Sequence, residues 1–518
     1  MEILSRCEGA FGPGPHRFVL AMPAGEDFLF ALLAGLLGGH TIIPTALPRA
    51  GAKGDRLAGI LQDSVPTAVF CHTAGREALC RHLHRELTDP VSSVLCPVLA
   101  IDAPWPEMSA AGRSGKHDDA LSDEPAIIQY TSGSTRTPKG VKLGGEQILA
   151  NQDLVARTWD MSPDTRFVNW LPHYHDMGLM GGILYPLLAG AYSVQMSPLE
   201  MIRRPVSWLK AISDFRATFS GGPAFAFAEC LKRIPEEESA ELDLSRWIRA
   251  YCGAEPIPSG LLPAFRERFA SNGLKPEAVF GCYGLAENTL FAAGAPEPDA
   301  TLSAPPAGCA SVHPCRLTET TRPYLRIVDP EDGRPLPEGQ QGEIWLTGPS
   351  RARGYLGLPV DSRTMFEARM QNDPETPWLR TGDLGVIAGD FLYVNGRLKD
   401  TIIVYGRTIA AAEVEWLAAT VDATLNPLAA AAFQPDPAAG DAVVLFIELR
   451  PGCLRPSHPH AVHSAITRAL MGEWAISLKE LRIVPRGRLE RTTSGKIRRQ
   501  RVAEAYRRGE APKGLELP

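Results

Sequence analysis

The run Ile127-Ile128-Gln129-Tyr130 leads without a break into Thr131-Ser132-Gly133-Ser134-Thr135-Arg136-Thr137-Pro138-Lys139-Gly140. An apolar strand-like run that feeds small hydroxyl residues and glycines suits oxyanion chemistry. Backbone N–H groups and hydroxyls can cradle phosphate oxygens, and glycine lets the backbone approach closely. The loop is not of the Walker A type, because Lys139 precedes Gly140 and no Lys-Ser or Lys-Thr follows a second glycine. Spacing alone leaves two readings open, a phosphate cradle or an ordinary polar loop.

Further segments follow in the chain. Trp170-Leu171-Pro172-His173-Tyr174-His175-Asp176-Met177-Gly178-Leu179 carries two histidines. Ser220-Gly221-Gly222-Pro223 precedes Phe225 and Phe227. Then come Gly253-Ala254-Glu255-Pro256, Gly281-Cys282-Tyr283-Gly284-Leu285-Ala286-Glu287 and Arg380-Thr381-Gly382-Asp383-Leu384-Gly385. Gly396-Arg397-Leu398-Lys399-Asp400 and Thr493-Ser494-Gly495-Lys496 complete the set. Singly, each has a plain structural reading. A lone histidine is more often structural, Phe225 and Phe227 suit a core as well as a pocket wall, and Glu287 suits a capping carboxylate. In this joint order they resemble the adenylate-forming superfamily of acyl-CoA synthetases, peptide-synthetase adenylation domains and firefly luciferase. Within it the resemblance is to the fatty acyl-AMP ligases, a branch with which Arg136 is compatible.

That resemblance implies ATP-dependent activation of a fatty acid as its acyl-adenylate. It places Thr131, Ser132, Gly133, Ser134, Thr135 and Lys139 on the ATP phosphates. It places Gly253, Ala254, Glu255, Tyr283 and Gly284 around the adenine, with Tyr283 stacked on the ring, and Asp383 on the ribose hydroxyls. Arg397 would meet ribose or phosphate, and Glu287 would hold Mg²⁺, a hard cation that prefers carboxylate oxygen. The implied catalytic residues are Lys496, Glu287 and His175, the last in a segment beside the acyl pocket and the nucleotide. Asp176, Met177, Gly178, Gly221, Gly222, Phe225 and Phe227 would line that pocket, and Lys399 and Asp400 would form an interdomain hinge. ATP and Mg²⁺ are the implied cofactors, and the acyl acceptor is a separate acyl carrier protein or, alternatively, coenzyme A. No carrier motif of the Asp-Ser-Leu type occurs in the chain. The stretch between Ala293 and Leu325 is short for the branch, and Thr408-Ile409-Ala410-Ala411 departs from its polar pattern. The first segment, ahead of Val19, is also shorter than the branch leads one to expect.

These residues need elements to hold them. Phe18–Leu20, Thr41–Ile43, Ala126–Tyr130, Phe167–Trp170, Ala217–Ser220, Trp247–Cys252 and Ala278–Tyr283 read as strands, many ending in a glycine-rich turn. Helical stretches such as Asp27–Leu37 lie between several of them. This order predicts α/β layers with largely parallel strands, whose carboxyl ends collect ligands. After about residue 300 the texture turns β-rich, with strands at Leu325–Val328, Gly342–Thr347 and Phe391–Val394. A smaller α+β unit follows, with strands at Thr401–Tyr405, Ala442–Leu449 and Leu481–Val484. Its helices are at Ala411–Ala419 and Ala461–Met471, and a basic helix starts near Lys496. The expected division is a large domain over 1–396, a hinge at 397–400 and a small domain over 401–518, with a frayed tail beyond Arg508.

Composition limits the alternatives. The chain has 518 residues, a net charge of −6 and 44% hydrophobic residues, as in an ordinary globular protein. An acidic balance argues against nucleic-acid binding, and the basic run Arg486–Arg508 interleaves only one aromatic, Tyr506. That run reads as a solvated helix face or as a dock for an acidic carrier. Ten scattered cysteines without close pairs suit reduced thiols in the cytoplasm. No signal-peptide pattern occurs at the start, and Phe28–Leu37 is too short to span a bilayer, which takes about 20 residues. A serine hydrolase lacks its Gly-x-Ser-x-Gly elbow here. A catalytically silent adenylate-binding scaffold is the remaining rival, and the joint presence of Glu287, Asp383, Arg397 and Lys496 argues against it.

Overall fold

The computed structural model describes residues 2–12, 14–48, 56–86, 96–105, 124–131, 138–296, 305–306, 309–404, 407–435, 442–450, 452–456, 458–491 and 497–517. The strands of the first sheet are β1 (Arg17–Leu20), β2 (Thr41–Pro44), β3 (Ala68–Cys71), β4 (Val98–Ala100), β5 (Ile127–Thr131) and β6 (Lys139–Leu143). Their spatial order is β4-β3-β1-β2-β5-β6, parallel except for the final β5–β6 hairpin. Phe18, Val19 and Leu20 are fully buried, the continuous apolar run of a strand covered on both faces. Helix Glu26–Leu37 packs on this sheet and carries Glu26 and Asp27 in its first turn, where negative charge suits the helix dipole. Its Gly35 meets Ile42 so closely that a Cβ would lie 2.1 Å from the isoleucine Cδ1.

The second sheet holds β7 (Arg166–Asn169), β8 (Tyr192–Gln195), β9 (Phe219–Pro223), β10 (Arg249–Gly253) and β11 (Val279–Gly281). All neighbours are parallel, in the order β11-β10-β9-β7-β8. The expected strand Trp247–Cys252 begins two residues later. The Trp247 indole is buried at the strand's base and donates to the Ser220 and Arg249 carbonyls. The expected Ala278–Tyr283 strand is divided into β11 and β12 (Tyr283–Gly284), which turns to pair with β13 (Phe291–Ala293).

A third sheet is antiparallel, built from β14 (Cys315–Arg316), β15 (Leu325–Val328), β16 (Gly342–Leu346), β17 (Ala368–Met370), β18 (Asp373–Ala388) and β19 (Phe391–Arg397). The smaller unit follows with β20 (Thr401–Val404), β21 (Arg407–Ala410), β22 (Leu425–Phe433), β23 (Ala442–Leu449), β24 (Ser477–Val484) and β25 (Leu515–Leu517). Helices Ala411–Thr420, Pro459–Trp474 and Arg499–Arg507 accompany these strands. The tail is therefore not frayed throughout. Leu515–Leu517 pairs antiparallel with β24 and extends the small sheet, so backbone hydrogen bonds hold it. The buried clusters divide in the same way. The main core draws its buried residues from Cys7 to Leu392, whereas the second draws them from Ile402 to Ile483. Among the described residues, no helix is long and apolar enough to cross a membrane.

Candidate active site

The parallel register of the second sheet brings three of the sequence segments side by side. Gly253 lies opposite Pro223, and Cys252 lies opposite Gly281. The turns Gly221-Gly222, Gly253-Ala254 and Cys282-Tyr283 therefore leave adjacent strands at their carboxyl ends, the usual ligand side of an α/β sheet. Close packing requires these glycines. A Cβ on Gly253 would come within 2.6 Å of the Cys282 carbonyl oxygen, one on Gly221 within 2.2 Å of the Tyr251 oxygen, and one on Gly284 within 1.8 Å of the Leu290 oxygen. Ala254 takes φ +67°, so the chain turns sharply where the adenine edge is expected. Glu255 caps the neighbouring helix, its Oε1 accepting from the Phe225 N–H at 3.0 Å.

The next strand, β7, leads into the histidine segment. A π-helix spans Met177–Leu184, a rare form that is frequent at functional sites. Asp176 caps it, accepting from the Met177 N–H at 2.7 Å. Gly178 lies against the Pro172 carbonyl, and a Cβ at that position would meet its oxygen at 2.2 Å, which leaves no room for a side chain. Gln129 of β5 donates to the Tyr174 carbonyl at 2.8 Å and ties this segment to the strand that feeds the phosphate loop. His173 is buried against Phe28 with its Nε2 3.0 Å from the Met22 oxygen, and burial lowers its pKa to about 4. His175 is half-buried, its ring beside Tyr174.

The two phenylalanines separate. Phe225 is half-buried and meets Trp170 edge-on, with ring centroids 5.9 Å apart, so part of it remains accessible. Phe227 does not share that position. It is fully buried and sits edge-on to Trp208 and Phe265 at 5.5 and 4.9 Å, because the helical repeat turns it inward to the core.

Thr131 ends β5 and Lys139 opens β6, so the two strands hold the ends of the loop. Ser132, Gly133, Ser134 and Thr135 fall outside the described residues, as does Lys496. Arg56 donates to the Tyr130 carbonyl at 2.7 Å, and Arg498, two positions after Lys496, bears on it electrostatically.

A dense polar cluster sits across from these ends. Asp383, nearly buried, receives the Tyr283 hydroxyl at 2.7 Å on one oxygen and the Arg397 guanidinium at 2.8 Å on the other. The turn before it is built around the fully buried Glu343. That carboxylate pairs with Arg380 at 2.7 Å and accepts from the Gly382 N–H at 3.0 Å. Gly382 has φ +69°, a conformation that favours glycine. Burial first, and then Asp383, hold the Tyr283 phenol protonated, while Asp383 keeps Arg397 charged. Glu287 lies in the short 3₁₀ turn Ala286–Asn288 and accepts from the Tyr355 hydroxyl at 2.9 Å. Lys139 pairs with Asp361 at 2.5 Å and lies 4.8 Å above the Tyr355 ring. Desolvation, with the positive charges of Arg397 and Lys139 nearby, lowers the pKa of Lys399. Lys139, Arg397 and Lys399 thus gather positive charge around Glu287 and Asp383. Sequence reasoning missed Glu343, Tyr355 and Arg56. A lone glutamate inside the apolar strand Gly342–Leu346 was the available signal for the first.

Comparison with known proteins identifies the family. The AMP-binding enzyme family matches residues 9–356. The long-chain-fatty-acid–AMP ligase FadD26 of Mycobacterium marinum is 34% identical over 96% of this chain and 88% of its own length. The chain belongs to the AMP-binding enzymes, and within them to the fatty acyl-AMP ligases. The putative fatty-acid–CoA ligase fadD21 of Mycobacterium leprae is 33% identical over 95% of this chain and 88% of its own. A solved structure from a study of fatty acyl-adenylate ligases of E. coli and L. pneumophila superposes with a TM-score of 0.79. It is 27% identical and covers 98% of this chain and 92% of that one. The layered α/β body with a smaller second unit is thus the architecture of this ligase family.

Proposed function

We propose that the ligase activates a fatty acid with ATP and passes the acyl group to the phosphopantetheine thiol of a separate carrier protein. The observation that carries this reading is the convergence of Asp383, Tyr283 and Arg397 beside the cation-rich group of Glu287, Lys139 and Lys399. It is the donor and acceptor set that a nucleoside triphosphate calls for. Asp383 retains free lone pairs for the ribose hydroxyls, because each carboxylate oxygen can accept twice. The turns at Gly253-Ala254 and Tyr283 offer a backbone edge and an aromatic face to the adenine. Thr131 and Lys139, at the ends of the loop that contains Ser132, Gly133, Ser134 and Thr135, serve the phosphates.

The acid is a poor electrophile as its carboxylate. Its oxygen attacks the α-phosphorus of ATP, a new O–P bond forms, and the bond to the β-phosphate oxygen breaks with loss of pyrophosphate. Anion meets anion in this step, so positioning and positive charge dominate the catalysis. Lys496 is assigned to bridge the carboxylate and the α-phosphate. Glu287 suits Mg²⁺. Among the described residues no three His, Cys, Asp or Glu side chains converge, and a magnesium ion held by one carboxylate and the substrate's phosphates needs no such cage. When bound, the ion offsets triphosphate charge. The acyl chain runs past Met177, Gly178, Gly221, Gly222 and Phe225, with Asp176 and His175 at the segment's start.

The two units are proposed to divide at 397–400. Arg397 is anchored to Asp383 in the large unit, while Asp400 pairs with Arg499 of the small unit at 3.2 Å. Turning about Lys399 and Asp400 would replace Lys496 by the thiol acceptor. The ten free cysteines suit a reducing, cytoplasmic setting. The test is incubation with ATP, Mg²⁺ and a panel of fatty acids, with acyl-AMP read by mass spectrometry. A phosphopantetheinylated carrier and coenzyme A are run as parallel acceptors. Acyl-AMP that moves to the carrier alone supports the proposal. Acyl-CoA replaces the acceptor, in line with the name that the fadD21 relative bears, and no adenylate with any acid refutes the activation step.

A further inference from the structure

The segment Arg351–Leu356 belongs to none of the motifs read from the sequence, yet it touches both halves of the phosphate site. Its backbone runs as a short antiparallel ladder beside β6. Arg353 N–H donates to the Lys142 carbonyl at 3.0 Å, Lys142 N–H to the Gly354 carbonyl at 2.9 Å, and Leu356 N–H to the Gly140 carbonyl at 2.7 Å. On its other side, Ala352 N–H donates to the Glu287 carbonyl at 2.9 Å. Tyr355 stands where these two lines of contact meet. Its hydroxyl donates to Glu287 Oε1 at 2.9 Å, and its ring carries the Lys139 ammonium 4.8 Å from the centroid. The ring is 5% exposed and is wedged edge-on against Phe366 at 5.1 Å, so it has little freedom to turn. Burial and the Glu287 carboxylate both keep the phenol protonated and hence a donor.

We propose that Tyr355 is a positioning residue that fixes the Glu287 carboxylate and the Lys139 ammonium relative to one another, so that metal and phosphate oxygens are received in one geometry. The hydroxyl orients the carboxylate by a hydrogen bond to a charged group, and the aromatic face steers the ammonium by a cation–π contact. The two functions sit on different atoms of one side chain and can be separated. The inference rests on the reading of Glu287 as the metal carboxylate and of Lys139 as a phosphate cation.

The experiment is calorimetric titration of ATP into purified protein over a series of Mg²⁺ concentrations and in EDTA, for wild type, Tyr355→Phe, Tyr355→Leu and Glu287→Gln. Supporting carboxylate partners typically contribute about 10–100-fold in metal affinity. Tyr355→Phe is therefore expected to raise the Mg²⁺ concentration for half-maximal ATP binding about tenfold, and to leave metal-free ATP binding within about twofold because Lys139 keeps its ring. Tyr355→Leu is expected to weaken metal-free binding as well. A purely structural role for Tyr355 would lower the thermal midpoint without this split. Tyr355→Phe with the wild-type Mg²⁺ dependence overturns the proposal, and so does Glu287→Gln with wild-type dependence, since the carboxylate would then hold no metal. If wild type binds ATP with Mg²⁺ and the variants show the split but wild type forms no acyl-AMP, the fatty-acid reading fails and the role of Tyr355 stands.

Discussion

Asp383→Asn separates the brace from the binding site. The carboxylate holds two donors in the free protein, the Arg397 guanidinium at 2.8 Å and the Tyr283 hydroxyl at 2.7 Å. Asparagine keeps the shape, loses the charge and turns one acceptor oxygen into an NH₂ donor, which the Tyr283 hydroxyl can rotate to accept. Hydrogen bonds to charged groups contribute about 1.5–3 kcal/mol and neutral ones about 0.5–1.5, so each contact loses about 1 kcal/mol. Arg397 is half-exposed, and water offsets part of its share. The expected loss of stability is about 1–2 kcal/mol, read as a lower urea midpoint at unchanged slope. Two ribose hydroxyls on the same carboxylate add a further loss of about 2 kcal/mol in binding, roughly a thirtyfold weaker Kd for ATP. Calorimetric titration reads the second effect independently of the first. If stability falls while ATP binds as tightly as to wild type, Asp383 only braces Arg397 and Tyr283, and the ribose assignment is wrong.

Other perturbations test other parts. Lys496→Ala is expected to lower acyl-AMP formation by about 10²–10³-fold or more while leaving the fold intact, in line with the loss of one preorganised contact; a folded variant with near-wild-type adenylation would remove Lys496 from the mechanism. Asp400→Pro is expected to spare adenylation more than acyl transfer, with Asp400→Asn as a control for the loss of the Arg499 pair; equal loss of both half-reactions in the proline variant speaks against a hinge. Glu413→Gln addresses pH. Burial raises the Glu413 pKa to about 7, and among the described residues its Oε1 has no hydrogen-bond partner. A carboxyl with a raised folded pKa contributes stability below its unfolded value near 4.5, and loses it as pH rises through about 7. The glutamine variant should therefore gain thermal stability at pH 8 over wild type and gain little at pH 5. Equal shifts at both pH values would show that its charge is not the cause.

The strands of the parallel sheets were legible because both faces are covered, which forces uninterrupted apolar runs such as Phe18–Leu20. The glycine turns were legible for a related reason, since neighbouring backbones leave no room for a Cβ. The long strand Asp373–Ala388 was not. Pro374, Pro377, Gly382 and Gly385 interrupt its pattern, and it is held by pairing with β17, β16 and β19 rather than by its own propensity. Lys139 read as part of a loop, whereas β6 carries it, because five residues with one glycine give too short an alternation to recognise. Phe225 and Phe227 show the limit for side chains. Two aromatics two positions apart on a helix face different ways, and only the packing around Trp208 and Phe265 decides which one is core. Tyr355 and Glu343 act through partners distant in sequence, and no local pattern records such pairs.

The two ion pairs on either side of Leu398 and Lys399 have a consequence for how the small unit can travel. Arg397 is moored to the large body through Asp383, and Asp400 to the small one through Arg499, which also grips the buried Glu415. Between the moorings lie Leu398 and Lys399 of a short 3₁₀ turn, and each residue offers two soft backbone torsions. Under the proposed hinge motion such a connector would act as a swivel and not as a tether. Were the small unit to turn here as proposed, the connector would prescribe an arc, and the unit would pass between its two orientations along a restricted track instead of searching a volume. Lengthening the swivel by a few flexible residues would keep every side chain of the site and still dilute the encounter, turning a guided stroke into a diffusive one.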